Sequence, residues 1–108
     1  MNIVAVAACP TGIAHTYMAQ AAIEKECKKR GIDVKVETQG SMGIENELEQ
    51  DEIENADVVI FAVAIAVEDE DRFDEKKDEG KVLYVEPGEL LKKPEKYIDE
   101  AVALILKK

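Results

Sequence analysis

The stretch Ile3-Val4-Ala5-Val6-Ala7-Ala8-Cys9-Pro10-Thr11-Gly12-Ile13-Ala14-His15-Thr16 decides how this chain folds. Its first six residues are all apolar, the pattern of a strand covered on both faces, and they stop at a loop containing proline and glycine. From residue 13 to 30 the sequence favours helix. Met18, Ala19, Ala22, Ile23 and Cys27 are available for packing, and Lys28, Lys29 and Arg30 sit at the negative end of the helix dipole before Gly31.

Working outward, residues 32–38 alternate, with Val34 and Val36 against Lys35 and Glu37, and then meet Gln39-Gly40-Ser41-Met42-Gly43. This predicts a second strand ending in a glycine-containing loop. Residues 45–55 carry little apolar content beyond Leu48 and Ile53, with Ile44 just before them, enough for a short surface helix. Val58-Val59-Ile60-Phe61-Ala62-Val63 is the strongest strand signal, again covered on both faces. Residues 68–80 read as an acidic connection, residues 81–85 as a short strand stopped by Pro87-Gly88, and the stretch after Pro94 as an amphipathic helix with Ile98, Ala101, Val102, Ile105 and Leu106 at helical spacing. The alternation of strands and helices predicts an α/β fold, a parallel sheet with helices on both faces. Ligands of such sheets bind beyond the carboxyl ends of the strands, where Cys9 falls.

At 108 residues the chain has the length of a single domain, 1–108, and 46% hydrophobic with 35% charged residues excludes a mainly disordered chain. The longest uncharged run, residues 3–23, is interrupted by Pro10, Gly12, His15, Thr16 and Gln20, which argues against a membrane span. It also lacks a basic segment before an apolar one, so the chain is expected in the cytoplasm. The net charge of −10 is local: residues 45–79 hold fifteen acids and three bases, while the flanking segments are each near balance. No broad basic face is available for nucleic acid or an anionic membrane. Two cysteines, Cys9 and Cys27, are too few for a disulfide scaffold or a structural zinc site, and no metal or other cofactor is expected. Cys27 lies on the apolar stripe of the first helix and reads as a small buried hydrophobe.

Cys9 has a different setting. Between a buried strand and a helix, free backbone amides and the positive end of the helix dipole point toward its sulfur. Such surroundings lower a thiol pKa from about 8.5 towards neutrality and make a thiolate available as nucleophile. The same amides can cradle phosphoryl oxygens, so Cys9 is the candidate nucleophile and Pro10, Thr11, Gly12, Ile13, Ala14, His15 and Thr16 the candidate phosphate loop. Each has a plainer alternative: Pro10 can simply rigidify the turn, Gly12 permit close approach of backbone, and Thr11 and Thr16 serve as turn and capping residues. His15 can donate to a phosphoryl group or be a surface residue.

The run CPTGIAHTYMA at 9–19, followed by VETQGSMG at 36–43, ADVVIFAVAI at 56–65 and Arg72-Phe73, resembles the fructose-family IIB component of the bacterial phosphoenolpyruvate-dependent sugar phosphotransferase system (PTS) over nearly the whole chain. The resemblance implies a four-stranded parallel sheet with helices on both faces, of the Rossmann or flavodoxin-like three-layer kind. It also implies that Cys9 accepts a phosphoryl group from a phosphohistidine of a IIA component and passes it to a fructose-like sugar held by a membrane IIC component. The chain itself would stay out of the membrane and meet its inner face only through IIC. Glu37, Thr38, Gln39 and Gly40 match the second motif, on the same edge as Cys9, where they shape the site or a partner face; the plainer alternative is that Gly40 and Gly43 only make turns. Two features depart from the family: Ala64 stands where members often carry an aspartate, and the stretch after Arg72-Phe73 is longer and more acidic.

Two other functions are open at this level. A strand-loop-helix with a nucleophilic cysteine is also the arrangement of low-molecular-weight cysteine phosphatases, although these place an arginine six residues after the cysteine, where this chain has His15. A regulatory module whose phosphorylation state a partner senses would carry the same loop. Dinucleotide binding is disfavoured, because the loop has one glycine and no GxGxxG.

Overall fold

The computed structural model describes residues 2–8, 13–40, 43–63 and 70–106. In chain order these form β1 (Asn2–Ala8), α1 (Ile13–Lys29), β2 (Asp33–Gly40), β3 (Gly43–Glu45), α2 (Gln50–Asn55), β4 (Val58–Val63), a 3-10 turn (Glu70–Phe73), α3 (Asp74–Asp78), β5 (Val82–Val85), α4 (Pro87–Lys92) and α5 (Pro94–Leu106). The four expected strands, β1, β2, β4 and β5, run parallel, and β3 joins as a fifth, antiparallel to β2, giving the order β3-β2-β1-β4-β5.

The uninterrupted apolar run of β1 is explained by its central place. It pairs with β2 on one side and β4 on the other, and Ile3 to Ala8 are all buried. Successive side chains point to opposite faces. Ile3, Ala5 and Ala7 pack with Val36, Val58 and Ile60 under Ala19, Ile23 and Cys27 of α1, Leu90 of α4 and Ile98 and Ala101 of α5. Val4 and Val6 pack with Val59 and Phe61 against Leu48, Ile53 of α2, Ala56 and Phe73. The sheet is thus covered on both faces, as three layers require.

Helix α1 ends as its sequence predicts. Gly31 adopts φ +72°, the Ile32 amide donates to the Cys27 carbonyl at 2.8 Å and the Gly31 amide to Lys28 at 3.1 Å, which satisfies carbonyls that the helix leaves open. Arg30 then ties α1 to α5 through Glu26 at 2.7 Å and Asp99 at 2.6 Å. No helix among the described residues is long and apolar enough to cross a membrane.

Four segments differ from the sequence expectation. The glycine-containing stretch after β2 is the bend of a hairpin, because Gly40 pairs with Gly43 and Thr38 with Glu45. The expected helix over 45–55 therefore starts late, at Gln50, where the Glu52 carboxylate reaches back to accept the Glu49 amide at 3.0 Å. The acidic connection is largely ordered as the 3-10 turn and α3, since Phe73 is buried edge-on to Phe61 with ring centroids 4.9 Å apart and anchors the acidic residues around it. Pro87-Gly88 ends β5 but also opens α4, with Pro87 in its first turn, where a missing amide hydrogen costs nothing, and Leu90 buried beneath.

Candidate functional site

β1, β2, β4 and β5 run in one direction, so Ala8, Gly40, Val63 and Val85 end at one edge of the sheet. Ala8 is paired with Gln39 of β2 and Val63 of β4, which makes this the centre of the edge. Helix α1 opens at Ile13, so its first-turn amides, which have no partners within the helix, lie within a short loop's reach of Ala8. Cys9, Pro10, Thr11 and Gly12 lie outside the described residues. Ile13, Ala14, His15 and Thr16 form the first turn of α1, and only their backbone is described.

Beside this centre the carboxyl end of β2 carries a buried polar network. Glu37 has no exposure at all, and it lies on the face of Val6, its partner in register. Its Oε1 accepts the Leu48 amide at 2.8 Å and Arg72 Nη1 at 2.9 Å; its Oε2 accepts Gln39 Nε2 at 2.6 Å and Arg72 Nη2 at 3.0 Å. Arg72 is therefore a two-pronged partner, and Nη1 donates also to the Leu48 carbonyl at 2.8 Å. Two donors on each oxygen fill the acceptor capacity of a carboxylate. Burial on its own would push the Glu37 carboxyl up, but the Arg72 guanidinium, the Leu48 amide and the Gln39 side chain together hold it below the usual carboxylate range. The network joins β2, the segment before α2 and the 3-10 turn.

On the other side of the hairpin, the Tyr17 hydroxyl, on the second turn of α1, donates to the Glu45 carboxylate of β3. That bond, with the negative charge of Glu45, keeps the phenol protonated to higher pH than usual. Tyr17 and Met18 are both exposed near the start of the helix. Cys27 lies in the core under α1, as its place on the apolar stripe predicts, and burial pushes its thiol up to about 11. It is no nucleophile at neutral pH.

Of the second-motif residues, Glu37, Thr38 and Gln39 are all buried at the edge that β1 shares with β2. Gly40 ends β2 and is paired with Gly43 of β3. What sequence reasoning missed is the joining of Glu37 and Gln39 to Arg72. Glu37 alternates with Val34 and Val36 as a solvent-facing residue would, and the one available signal was an arginine placed next to Phe73 in an otherwise acidic run. The Tyr17–Glu45 bond left no such signal.

Comparison with known proteins bears on the same edge. A family model described as "PTS system, Lactose/Cellobiose specific IIB subunit" matches residues 4–100. The chain is 53% identical over 72 residues to the PTS system fructose-like EIIB component 2 of Escherichia coli (strain K12), spanning 67% of this chain and 68% of that protein. It is 50% identical over 103 residues to the PTS system fructose-specific EIIB'BC component of the same organism, spanning 94% of this chain and 17% of that longer protein. Among solved structures, a domain of the fructose-specific IIABC component of Borrelia burgdorferi superposes with a TM-score of 0.83 at 50% identity, covering 94% of this chain and 93% of the other. A predicted fructose-specific IIB from Escherichia coli superposes with a TM-score of 0.90 at 31% identity, over 98% and 90%. The strand edge described above is thus that of a PTS IIB domain, and the chain belongs to the PTS IIB family, with fructose-type IIB components as its relatives.

Proposed function

We propose that this chain is a phosphoryl carrier of a sugar phosphotransferase system, that its nucleophile is Cys9, and that it works through a phosphocysteine. The observation that carries the reading is the placement of β1: Ala8 is held from both sides at the centre of the carboxyl edge, and α1 opens five residues later. A thiolate in such a loop attacks the phosphorus of a phosphohistidine on a IIA component. The S–P bond forms as the N–P bond breaks, and the imidazole leaves. In the second step a sugar hydroxyl, on a fructose-like sugar held by a membrane IIC component, attacks the same phosphorus; the O–P bond forms, the S–P bond breaks, and the thiolate returns as the hydroxyl proton passes to a base on the IIC side.

Phosphoryl transfer of this kind is catalysed by positioning and by donors for the equatorial oxygens. In this reading the backbone amides of residues 11–16 are those donors, Pro10 having no amide hydrogen, and the side chains of Thr11, His15 and Thr16 assist them. Partners of both kinds are supported by the names of two relatives, the EIIB'BC component of Escherichia coli and the EIIABC component of Bacillus subtilis. The carrier works in the cytoplasm and meets the inner face of the membrane through IIC.

The test is the intact mass of the protein after incubation with phosphoenolpyruvate, the general phosphotransferase proteins and a IIA donor, beside Cys9→Ser. A gain of one phosphoryl group, about 80 Da, in the native chain and not in the variant supports the carrier. No gain with several donors, together with hydrolysis of an aryl phosphate, would replace it with a phosphatase.

A further inference from the structure

We propose that Glu37 and Arg72 are positioning residues for phosphoryl transfer at Cys9, acting through Gln39 on the strand ends that present the cysteine. The proposal rests on Cys9 being the acceptor. Among the described residues Glu37 is the charged residue with no exposure at all, on a face where Val4, Val6, Val59 and Phe61 pack together and where Lys35 and Gln39 are its neighbours along β2. Charge at 37 and 72 adds little to stability by its own attraction, because an ion pair taken out of water loses most of that attraction to desolvation.

Geometry gives the alternative. The guanidinium fork fixes Glu37 in its plane with bonds of 2.9 and 3.0 Å, and Leu48 is held by both its amide, 2.8 Å from Glu37, and its carbonyl, 2.8 Å from Arg72. The remaining acceptor site of Glu37 takes Gln39 Nε2 at 2.6 Å. Gln39 is the register partner of Ala8, the residue before Cys9. The network therefore runs from the 3-10 turn, through a carboxylate with every acceptor site filled, to the strand position paired with Ala8. A reaction that depends on placing the attacking atom loses about a hundredfold for a misplacement of about 1 Å. Locking three chain segments against each other at this edge is what such a reaction needs.

Three variants test this, each checked for folding by denaturation: Glu37→Gln, Arg72→Lys, which keeps the charge but not the fork, and Gln39→Met, which removes one donor and is the mildest. The first readout is the rate at which Cys9 takes the phosphoryl group from a phosphorylated IIA donor. The second is the pH dependence of Cys9 alkylation by iodoacetamide, followed on the Cys9 peptide, which needs no donor. The folded variants are expected to accept the phosphoryl group about tenfold or more slowly with KM for the donor unchanged, and to show an alkylation midpoint at higher pH. Folded variants with native transfer rates and a native midpoint, or rate losses that follow only the unfolded fraction, would reduce the pair to a structural contact and overturn the proposal. If the native chain takes no phosphoryl group, the carrier reading fails, while the alkylation midpoints still decide for or against the positioning role.

Discussion

Removing one partner of the Glu37–Arg72 pair has a cost that can be worked from its bonds. Arg72→Met keeps the length and the apolar stem of the side chain, and deletes the guanidinium with its contacts to Glu37 and the Leu48 carbonyl and its place over the Phe73 ring. What remains is a carboxylate with no exposure, held by two neutral donors, the Leu48 amide and Gln39. Breaking a buried pair in this way costs about 3–5 kcal/mol, a large share of the about 5–15 kcal/mol that holds a domain of this size together. With an m-value of about 1.5 kcal/mol/M the urea midpoint at pH 7 falls by about 2–3 M. The sign with pH is opposite in the two proteins. In the native chain the Glu37 carboxyl is held below its usual range, so its contribution is fully present above the unfolded value of about 4.3 and is lost as pH falls through the lower folded value. In the variant, burial acts without the guanidinium and raises the carboxyl, so the penalty is greatest at neutral pH and shrinks as Glu37 takes up a proton. Urea unfolding followed by far-UV circular dichroism at pH 7 and pH 5 measures the narrowing in the variant, and a further point at about pH 3 the loss in the native chain. A loss at pH 7 below about 1 kcal/mol, or a loss that does not narrow at pH 5, would refute the description of Glu37 as a buried, ionised carboxylate held by Arg72.

Three further outcomes follow from the packing. Phe73→Ala removes a fully buried ring and its edge-on contact with Phe61, and is expected to cost about 3–5 kcal/mol in chemical denaturation. Gly31→Ala places a Cβ in open space but at φ +72°, so its cost of about 1 kcal/mol is backbone strain alone and will appear as a lower denaturation midpoint with an unchanged m-value. Cys27, with its thiol pushed up to about 11 inside the core, is expected to stay unmodified by iodoacetamide at pH 8 in the folded protein and to react in urea, as peptide mass mapping will show.

The parts of the fold that could be read directly are those whose environment is uniform along the segment. β1 and β4 are covered on both faces from end to end, so their residues are continuously apolar and the strands are unmistakable. The stripe of Ala19, Ile23 and Cys27 gives α1 in the same way. β3 could not be read, because Gly43-Ile44-Glu45 has no pattern of its own and becomes a strand by closing a hairpin on β2. The 3-10 turn and α3 were hidden by their charge: one phenylalanine, buried against Phe61, orders a segment that otherwise looks like a solvated connection. The candidate nucleophile Cys9 is named from a motif with local meaning, and it lies outside the described residues. Glu37 carries no local signal of burial, since its alternation with Val36 marks it as solvent-facing, and its partner is 35 residues away in sequence. Long-range pairing of polar side chains leaves no periodicity to read.

The two faces of the sheet are built for different tasks. Under α1, α4 and α5, side chains from β1, β2 and β4 join one large apolar cluster, and α5 is held to α1 by an ion pair at its rim, between Arg30 and Asp99. Under α2 and the 3-10 turn, the covering elements are one to two turns long and contribute few side chains, chiefly Leu48, Ile53, Ala56 and Phe73. Short elements of this kind have little propensity to hold a place by themselves, so their position must come from specific contacts. Three of those contacts converge on Arg72 and one carboxylate of β2, while Lys35, two residues earlier on the same strand, holds Glu52 of α2 at 2.7 and 2.9 Å. The side of the sheet with the thinner cover is therefore registered by charge pairs anchored on β2, the strand whose end is paired with the end of β1. Loss of those pairs would free the covering segments before it unfolded the α1 side, and the effect would first be felt at the carboxyl edge, where β1 ends.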